Sequence, residues 1–258
     1  MKKFILQDPP DSRGMVYLKH NDFHYLVRIR RLEKGSFFKA FLPDGSEKEL
    51  EILSIKNELI KAQCRGEIPL QIKNTLPPVF LLQALPKGAK MDLIVRQSSE
   101  CGISRIIPFF SEYSQVKNNV KGAYTEKIKR WNRIIREARQ QSGSVIQTQI
   151  NTPCNFDDVL LFWEQLKKEN SLGIGFFFHE QSNKPDTFHN CLFDDPGFVV
   201  MAIGPEGGFS PMEAECFNAA GFKSIVLGDN ILRTETAALY GAAAIRTILL
   251  ERAYWQKK

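Results

Sequence analysis

The chain has 258 residues, 43% hydrophobic and 25% charged, proportions of a globular protein long enough to bury a substantial core. No run of about eighteen apolar residues occurs, which argues against a membrane-spanning helix. The formal charge of +6 leans toward a polyanionic partner.

The N-terminus, MKKFILQDPPDSRG, has two lysines but only Phe4, Ile5 and Leu6 behind them, too little for a signal-peptide core. The expected location is therefore cytoplasmic. Cys64, Cys101, Cys154, Cys191 and Cys216 are dispersed, with no C-x-x-C, and read as reduced structural thiols. His20, His24, His179 and His189 form no H-E-x-x-H, so no metal is expected.

Up to about residue 75 the chain reads as short strands and turns. "GSFFKAFLPDGSEKELEILSIKNELIKAQCRGEI" alternates apolar and polar residues, with a Pro-Asp-Gly turn at 43–45 and Asn57 between strands. Such spacing suggests a small β-barrel over residues 1–73. "IKNTLPP" at 72–78 reads as a linker, because its two prolines favour extended chain.

From residue 74 to 258 the texture is that of an α/β domain with a mainly parallel sheet. "PVFLLQAL" at 78–85 is a continuous apolar run, expected of a strand buried on both faces. "GAKMDLIVRQSSECG" predicts a helix stopped by Gly102, and "ISRIIPFF" the next strand. A basic helix over about 124–141 would turn Trp131, Ile134 and Ile135 inward. Strands are expected at 172–180, 197–204 and 224–228, and a last helix from about 234 to 254.

Positive charge is concentrated. Eight cations between Lys117 and Arg139 face only Glu126 and Glu137, a local net charge of +6. Arg28, Arg30 and Arg31 form a second cluster in "YLVRIRRLEKG". Solvated helix faces are the plain alternative, but two clusters in an otherwise balanced chain favour a nucleic acid.

Two bends carry the chemistry. In "VVMAIGPEGGFSPMEAE" at 199–215 a strand runs into a glycine-rich turn and then a helix start. Ser210 suits the N-cap, Pro211 the first helical position, and Glu213 completes a capping box. The glycines match neither G-x-G-x-x-G nor a P-loop, and Glu206 in mid-bend would repel a phosphate. A ligand recognised by its base or its positive charge fits better, and a tight turn without a ligand is the alternative. The second bend, "VLGDNILRTETAALYGAAAI", leads into a helix rich in small residues, which implies another backbone passing close to it. Arg233 precedes that helix, where the dipole disfavours a cation. Function is one explanation; a local pair with Glu235 is the other.

"IGPEGGFSPMEAE" together with "LGDNILRTETAAL" resembles the ribosomal RNA small-subunit methyltransferase E family of the SPOUT superfamily. "HYLVRIRRLEKG" and "KGAKMDLIVRQSSECGISRIIPFFSE" are similar to its other motifs, so the resemblance spans the chain. It implies S-adenosylmethionine as cofactor and methylation of uridine N3 in small-subunit (16S) ribosomal RNA. It also implies a PUA-like RNA-binding barrel over 1–73, a trefoil-knotted methyltransferase domain over 74–258, and a homodimer formed through the knot.

On the same resemblance, the first bend would wrap the cofactor with Ile203, Gly204, Pro205, Glu206, Gly207 and Gly208. The second would contribute Leu227, Gly228, Ile231, Leu232 and Thr234, and the strand end would supply Phe178, His179 and the following Glu180. Arg233 would stabilise negative charge developing on the base, while Glu235 or Glu206 would orient it or take the proton. Arg28, Arg31, Lys129 and Arg133 would contact RNA. Where the family usually has Lys, Arg, Glu and Arg, this chain has Gln97, Tyr113, Gln140 and Ser144. That places the departure in substrate recognition. The remaining readings are a methyltransferase with another target nucleotide and a non-catalytic RNA-binding protein of the same fold.

Overall fold

Alternation of apolar and polar residues builds the first sheet of the computed structural model, which describes residues 4–6, 8–42, 46–67, 76–114, 124–179, 186–193 and 195–255. Its strands are β1 (Phe4–Ile5), β2 (Met15–Leu18), β3 (Phe37–Phe41), β4 (Glu47–Lys56) and β5 (Leu59–Glu67). They lie in the order β1-β3-β4-β5-β2, antiparallel except for β1 on β3. Phe38, Ala40, Leu50, Ile52, Ile60 and Ala62 fill its core. Asn57 and Glu58 turn β4 into β5, both with positive φ, so the hairpin follows the right-handed twist of the strands. The Pro-Asp-Gly turn at 43–45 lies outside the described residues.

One segment of this unit departs from expectation. Residues read as strand and turn instead form a short helix α1 (His20–Phe23) that continues into a π-helical turn at His24–Ile29. Phe23 and Leu26, three apart, enter the core together, which a helical turn allows and a strand does not.

Contacts divide the chain into residues 1–74 with 139–145, and residues 75–138 with 146–258. From residue 75 the chain runs β6 (Val79–Ala84), α2 (Lys90–Glu100), β7 (Arg105–Phe110), α3 (Thr125–Ser142, its residues from 139 on counted with the first unit), β8 (Gln149–Ile150) and β9 (Cys154–Asn155). It continues as α4 (Phe156–Glu169), β10 (Gly173–Phe178), α5 (Phe188–Leu192), β11 (Phe198–Ile203), α6 (Pro211–Ala219), β12 (Lys223–Ile225) and α7 (Thr234–Trp255). The strand order is β12-β10-β11-β6-β7-β8, with β9 also on β7, and every pairing is parallel.

The apolar runs are explained by cover on both faces. Leu81, Ile106, Phe176 and Met201 pack with residues of α2, α3 and α7, including the expected Trp131, Ile134 and Ile135. Leu82, Ile107, Phe177 and Val200 pack with Trp163 of α4 and Phe217 of α6. α4, α5, β8 and β9 were not anticipated, although the Asn155–Asp158 capping box that opens α4 is written in the sequence. β12 ends at Ile225, three residues before the expected end, which frees 226–228 for the following bend.

β11 is inserted between β6 and β10, and β12 pairs outside β10. The carboxyl ends of β10, β11 and β12 therefore sit side by side. One small residue of α7, Gly241, faces a side chain. A Cβ on Gly241 would lie 2.1 Å from Cε2 of Phe178, so the close approach there is an aromatic ring, not a backbone. Among the described residues, no helix is long and apolar enough to cross a membrane, and no group of three or more His, Cys, Asp or Glu could hold a metal.

The start of α6 shows how a buried charge is tolerated. Glu213 is 3% exposed, and its carboxylate accepts from Ser210 N–H at 2.9 Å, Glu112 N–H at 2.9 Å and the Ser111 hydroxyl at 3.0 Å. Its own N–H donates to Ser210 Oγ at 3.2 Å, completing the capping box expected from the sequence. Removing the carboxylate would strand two buried donors, Ser210 N–H and the Ser111 hydroxyl, and the part-buried Glu112 N–H, each buried one costing about 1–3 kcal/mol and not additively. Glu213→Ala should therefore lower the unfolding free energy in urea by roughly 3 kcal/mol; a loss below ~1 kcal/mol would show that this network does not hold α6 in place.

Candidate functional site

The bends at the carboxyl ends of β11 and β12 face one another across a cavity of about 500 Å³. Outside the strand ends of an open parallel sheet is where ligands generally lie. Backbone geometry shapes the first wall. A Cβ on Gly204 would meet the backbone carbon of Gly208 at 3.0 Å, so the bend closes on itself there. Gly208 has φ +71°, a conformation that favours glycine.

All thirteen residues named for cofactor contact line this one cavity: Phe178, His179 and Ile203 from the strand ends, Gly204 to Gly208 from the first bend, and Leu227, Gly228, Ile231, Leu232 and Thr234 from the second. Arg233 lines it too, and its side chain is exposed. Phe209, Ile225, Val226, Asp229, Asn230 and Ala237 complete the wall and were not singled out from sequence. Chain continuity could have suggested them, because each adjoins a motif residue. Glu180 lies outside the described residues.

Three of the named residues have roles different from those their types suggest. Thr234 is 4% exposed, and its hydroxyl donates to Gly204 O at 2.7 Å, tying the second bend to the first. Gly207 lines the cavity and also lies against Tyr113. A Cβ there would meet Cβ of Tyr113 at 3.2 Å, so a side chain added at Gly207 would be directed at Tyr113. Glu206 accepts from Lys90 Nζ at 2.6 Å and from Lys87 N–H at 3.1 Å. Burial pushes its pKa up, but hydrogen bonds from Lys90 and the backbone outweigh this and hold it below the ordinary carboxylate value.

Lys90 also reaches Glu235, at 4.0 Å, so one cation lies near two carboxylates: Glu206, which lines the cavity, and Glu235, which does not but adjoins the lining residue Thr234. Glu235 is in the first turn of α7, with Oε2 buried and without a hydrogen-bond partner. Neither Lys90 nor Gln83 was singled out from sequence. Gln83 had a signal: it is a polar residue inside the apolar run "VFLLQAL". It is fully buried and donates to the Thr234 hydroxyl.

The candidate RNA contacts are spread over two places. Arg28 lies in the π-helical turn and Arg31 just beyond it with φ +55°, both exposed, with Ile29 61% exposed between them. On α3, Lys129 pairs with Glu126 at 2.8 Å and Arg133 with Glu137 at 3.8 Å, exposed local pairs that a phosphate could replace at little cost. Arg130 is held by Asp92, which also accepts from Trp131 Nε1 at 3.1 Å. The basic run is thus not one free surface: Arg139 is only 8% exposed, and burial lowers its pKa.

The model of the RNA methyltransferase domain family matches residues 73–246. The chain is 30% identical over 250 residues to Ribosomal RNA small subunit methyltransferase E 2 of Borreliella burgdorferi, covering 96% of this chain and 98% of that protein. With Ribosomal RNA small subunit methyltransferase E of Buchnera aphidicola it shares 27% identity over 246 residues, covering 95% and 93% of the two chains. The crystal structure of a Ribosomal RNA small subunit methyltransferase E from Neisseria gonorrhoeae bound to S-adenosyl methionine is similar, with TM-score 0.77, 25% identity, and 96% and 98% of the two chains covered. These matches take in both units of the chain and the strands and bends around the cavity. The chain belongs to the ribosomal RNA small subunit methyltransferase E family.

Proposed function

We propose that this protein transfers a methyl group from S-adenosylmethionine to N3 of a uridine in small-subunit (16S) ribosomal RNA. The observation that carries this reading is a cavity walled by the backbone of two bends and bordered by carboxylates. At about 500 Å³ it is within the usual range for small-molecule sites. Asp229 in its wall disfavours a phosphate and suits a ligand bearing positive charge, while the Glu206 carboxylate is shared with Lys90. The Gly204–Gly208 contact leaves no room for a Cβ, so main-chain groups line that side. The cofactor fits these residues, and the bends from 203 to 208 and from 227 to 234 would hold it.

When bound, S-adenosylmethionine supplies an electrophilic methyl group. The chain's own part is to position the base, exclude water and deal with the N3 proton, because uridine N3 is mostly protonated at neutral pH. Arg233, on the cavity wall, stabilises the negative charge that develops on the base. Glu235 takes the proton. Glu206 is the poorer base, since Lys90 and the Lys87 N–H stabilise its ionised form. Replacement of a positioned acid–base group commonly costs a factor of about 10²–10⁴.

The larger architecture belongs to the same proposal. Insertion of β11 between β6 and β10 supports a knotted SPOUT-type domain over 74–258. The five-stranded unit with Arg28 and Arg31 supports an RNA-binding, PUA-like module over 1–73. The protein acts as a cytoplasmic homodimer. Mapping methylated nucleotides in small-subunit RNA from cells with and without the gene tests the activity. A missing N3-methyluridine in the deletion is expected, whereas an unchanged RNA would refute it. In single turnover, Glu235→Gln should slow methyl transfer about a hundredfold or more without weakening cofactor binding.

Two binding measurements follow from the site and the basic cluster. By calorimetry, S-adenosylmethionine and its demethylated product should bind and NAD and ATP should not. Gly204→Ala should abolish binding, because the new Cβ would push the bend away from Gly208. Reversing the charge of Arg28 and Arg31 should weaken RNA binding and reduce its salt dependence, with cofactor affinity kept. Equal loss of both affinities would mean that the two arginines support the fold.

A further inference from the structure

Gln83 is the penultimate residue of β6, paired across the sheet with Ile203 on one side and Pro108 on the other. Its side chain is completely buried within a strand whose other core residues are apolar. Nε2 donates to Thr234 Oγ1 at 3.1 Å and to Ala84 O at 2.9 Å. Thr234 Oγ1 in turn donates to Gly204 O at 2.7 Å.

The direction of every bond in this chain is fixed by chemistry. Gly204 O and Ala84 O are carbonyls and can only accept. The Thr234 hydroxyl has one proton, and it is used on Gly204, so its oxygen must accept from Gln83. Both protons of the Gln83 amide are then used, and the NH₂ group must face this way. The consequence is that Gln83 Oε1 stays buried without a hydrogen-bond partner. An unpaired buried acceptor is costly, and a Leu or Met here would avoid it. The glutamine therefore has a function that an apolar residue in the same strand would not fulfil.

We infer that Gln83 is a positioning residue for the ligand site: through Thr234 it locks the second bend to Gly204 of the first, and so holds the cavity in its binding geometry. This rests on reading the cavity as the site of S-adenosylmethionine. Gln83 itself does not line the cavity; it acts from the core behind it. Thr234 carries the effect, because its hydroxyl is the only group that joins Gln83 to the first bend in this chain of bonds. Pre-organisation of two loops acts on binding more than on the chemical step once the ligand is in place.

The test uses the full-length protein. In calorimetry with S-adenosylhomocysteine, Gln83→Met, which keeps the volume and loses both donors, should weaken binding about tenfold. Thr234→Val should do the same, Thr234→Ser should restore binding by keeping the hydroxyl, and the Gln83→Met/Thr234→Val double variant should be no worse than either single one. In methyl transfer the loss should appear in KM for S-adenosylmethionine, with kcat kept at saturation, and RNA affinity should not change. Unchanged cofactor affinity in folded variants, or additive losses, would overturn the inference. If Gln83→Met does not fold, hydrogen exchange of the ligand-free Thr234→Val and Thr234→Ser variants decides: faster exchange in 204–209 for Val alone supports the lock, and unchanged exchange in both overturns it. Amide hydrogen exchange in the ligand-free protein separates this inference from the reading it rests on. Gln83→Met should speed exchange in 204–209 and 227–234 together. Should the wild type bind no S-adenosylhomocysteine, the reading of the cavity fails, while the exchange comparison still supports or overturns the lock.

Discussion

The cavity depends on burial of both faces of the parallel sheet, above all on β11 lying between β6 and β10. Six consecutive buried residues, from Phe198 to Ile203, have room for no charge and anchor the strand from both sides. The chain can leave such a strand only at its carboxyl end, and there it meets the ends of β10 and β12. The glycine bend follows because the chain must turn at once into α6. Glu213 then fixes the start of that helix by satisfying Ser210, Glu112 and Ser111 together. Core packing thus sets where the bend begins and a buried carboxylate sets where it stops.

Within that frame the two sides of the cavity are joined at different depths. At the rim, Lys90 lies between Glu206 and Glu235, with about a third of its side chain exposed. Solvent screening keeps such a pair weak, so it can be rearranged when a ligand arrives. In the core, the Gln83–Thr234–Gly204 chain is buried. A rigid link behind the site and an adjustable one at its mouth suit a cavity that must admit a cofactor and still present it in one orientation.

The basic residues show the same division between position and charge. Along the chain they form two clusters, but their surroundings separate the members of each. Arg28 and Arg31 are exposed at a strained turn, Lys129 and Arg133 are loosely paired with neighbouring glutamates, Arg130 is held by Asp92, and Arg139 is buried. Only the exposed and loosely paired cations can meet a phosphate without first breaking part of the fold.

Local sequence pattern was enough for β6, β7, β10 and β11, the capping box of α6 and the residues of both bends, but not for β8 and β9. Continuous apolar runs, glycines and a capping signature are local patterns, and each depends on residues only a few positions apart. It left α1 unread because four residues and a π-helical turn give too short a period to separate from a strand. It could not show that β11 is inserted beside β6, because strand order is decided by contacts between segments more than a hundred residues apart. The same limit applies to side chains. Nothing in the sequence shows that the Thr234 hydroxyl donates to Gly204 O. Nor does it show Tyr113 beside Gly207, and Gln83 reads as an oddity in a greasy strand until Thr234 comes within 3.1 Å. Which hydrogen bonds a buried group makes depends on what the fold brings to it, and only the tertiary structure decides that.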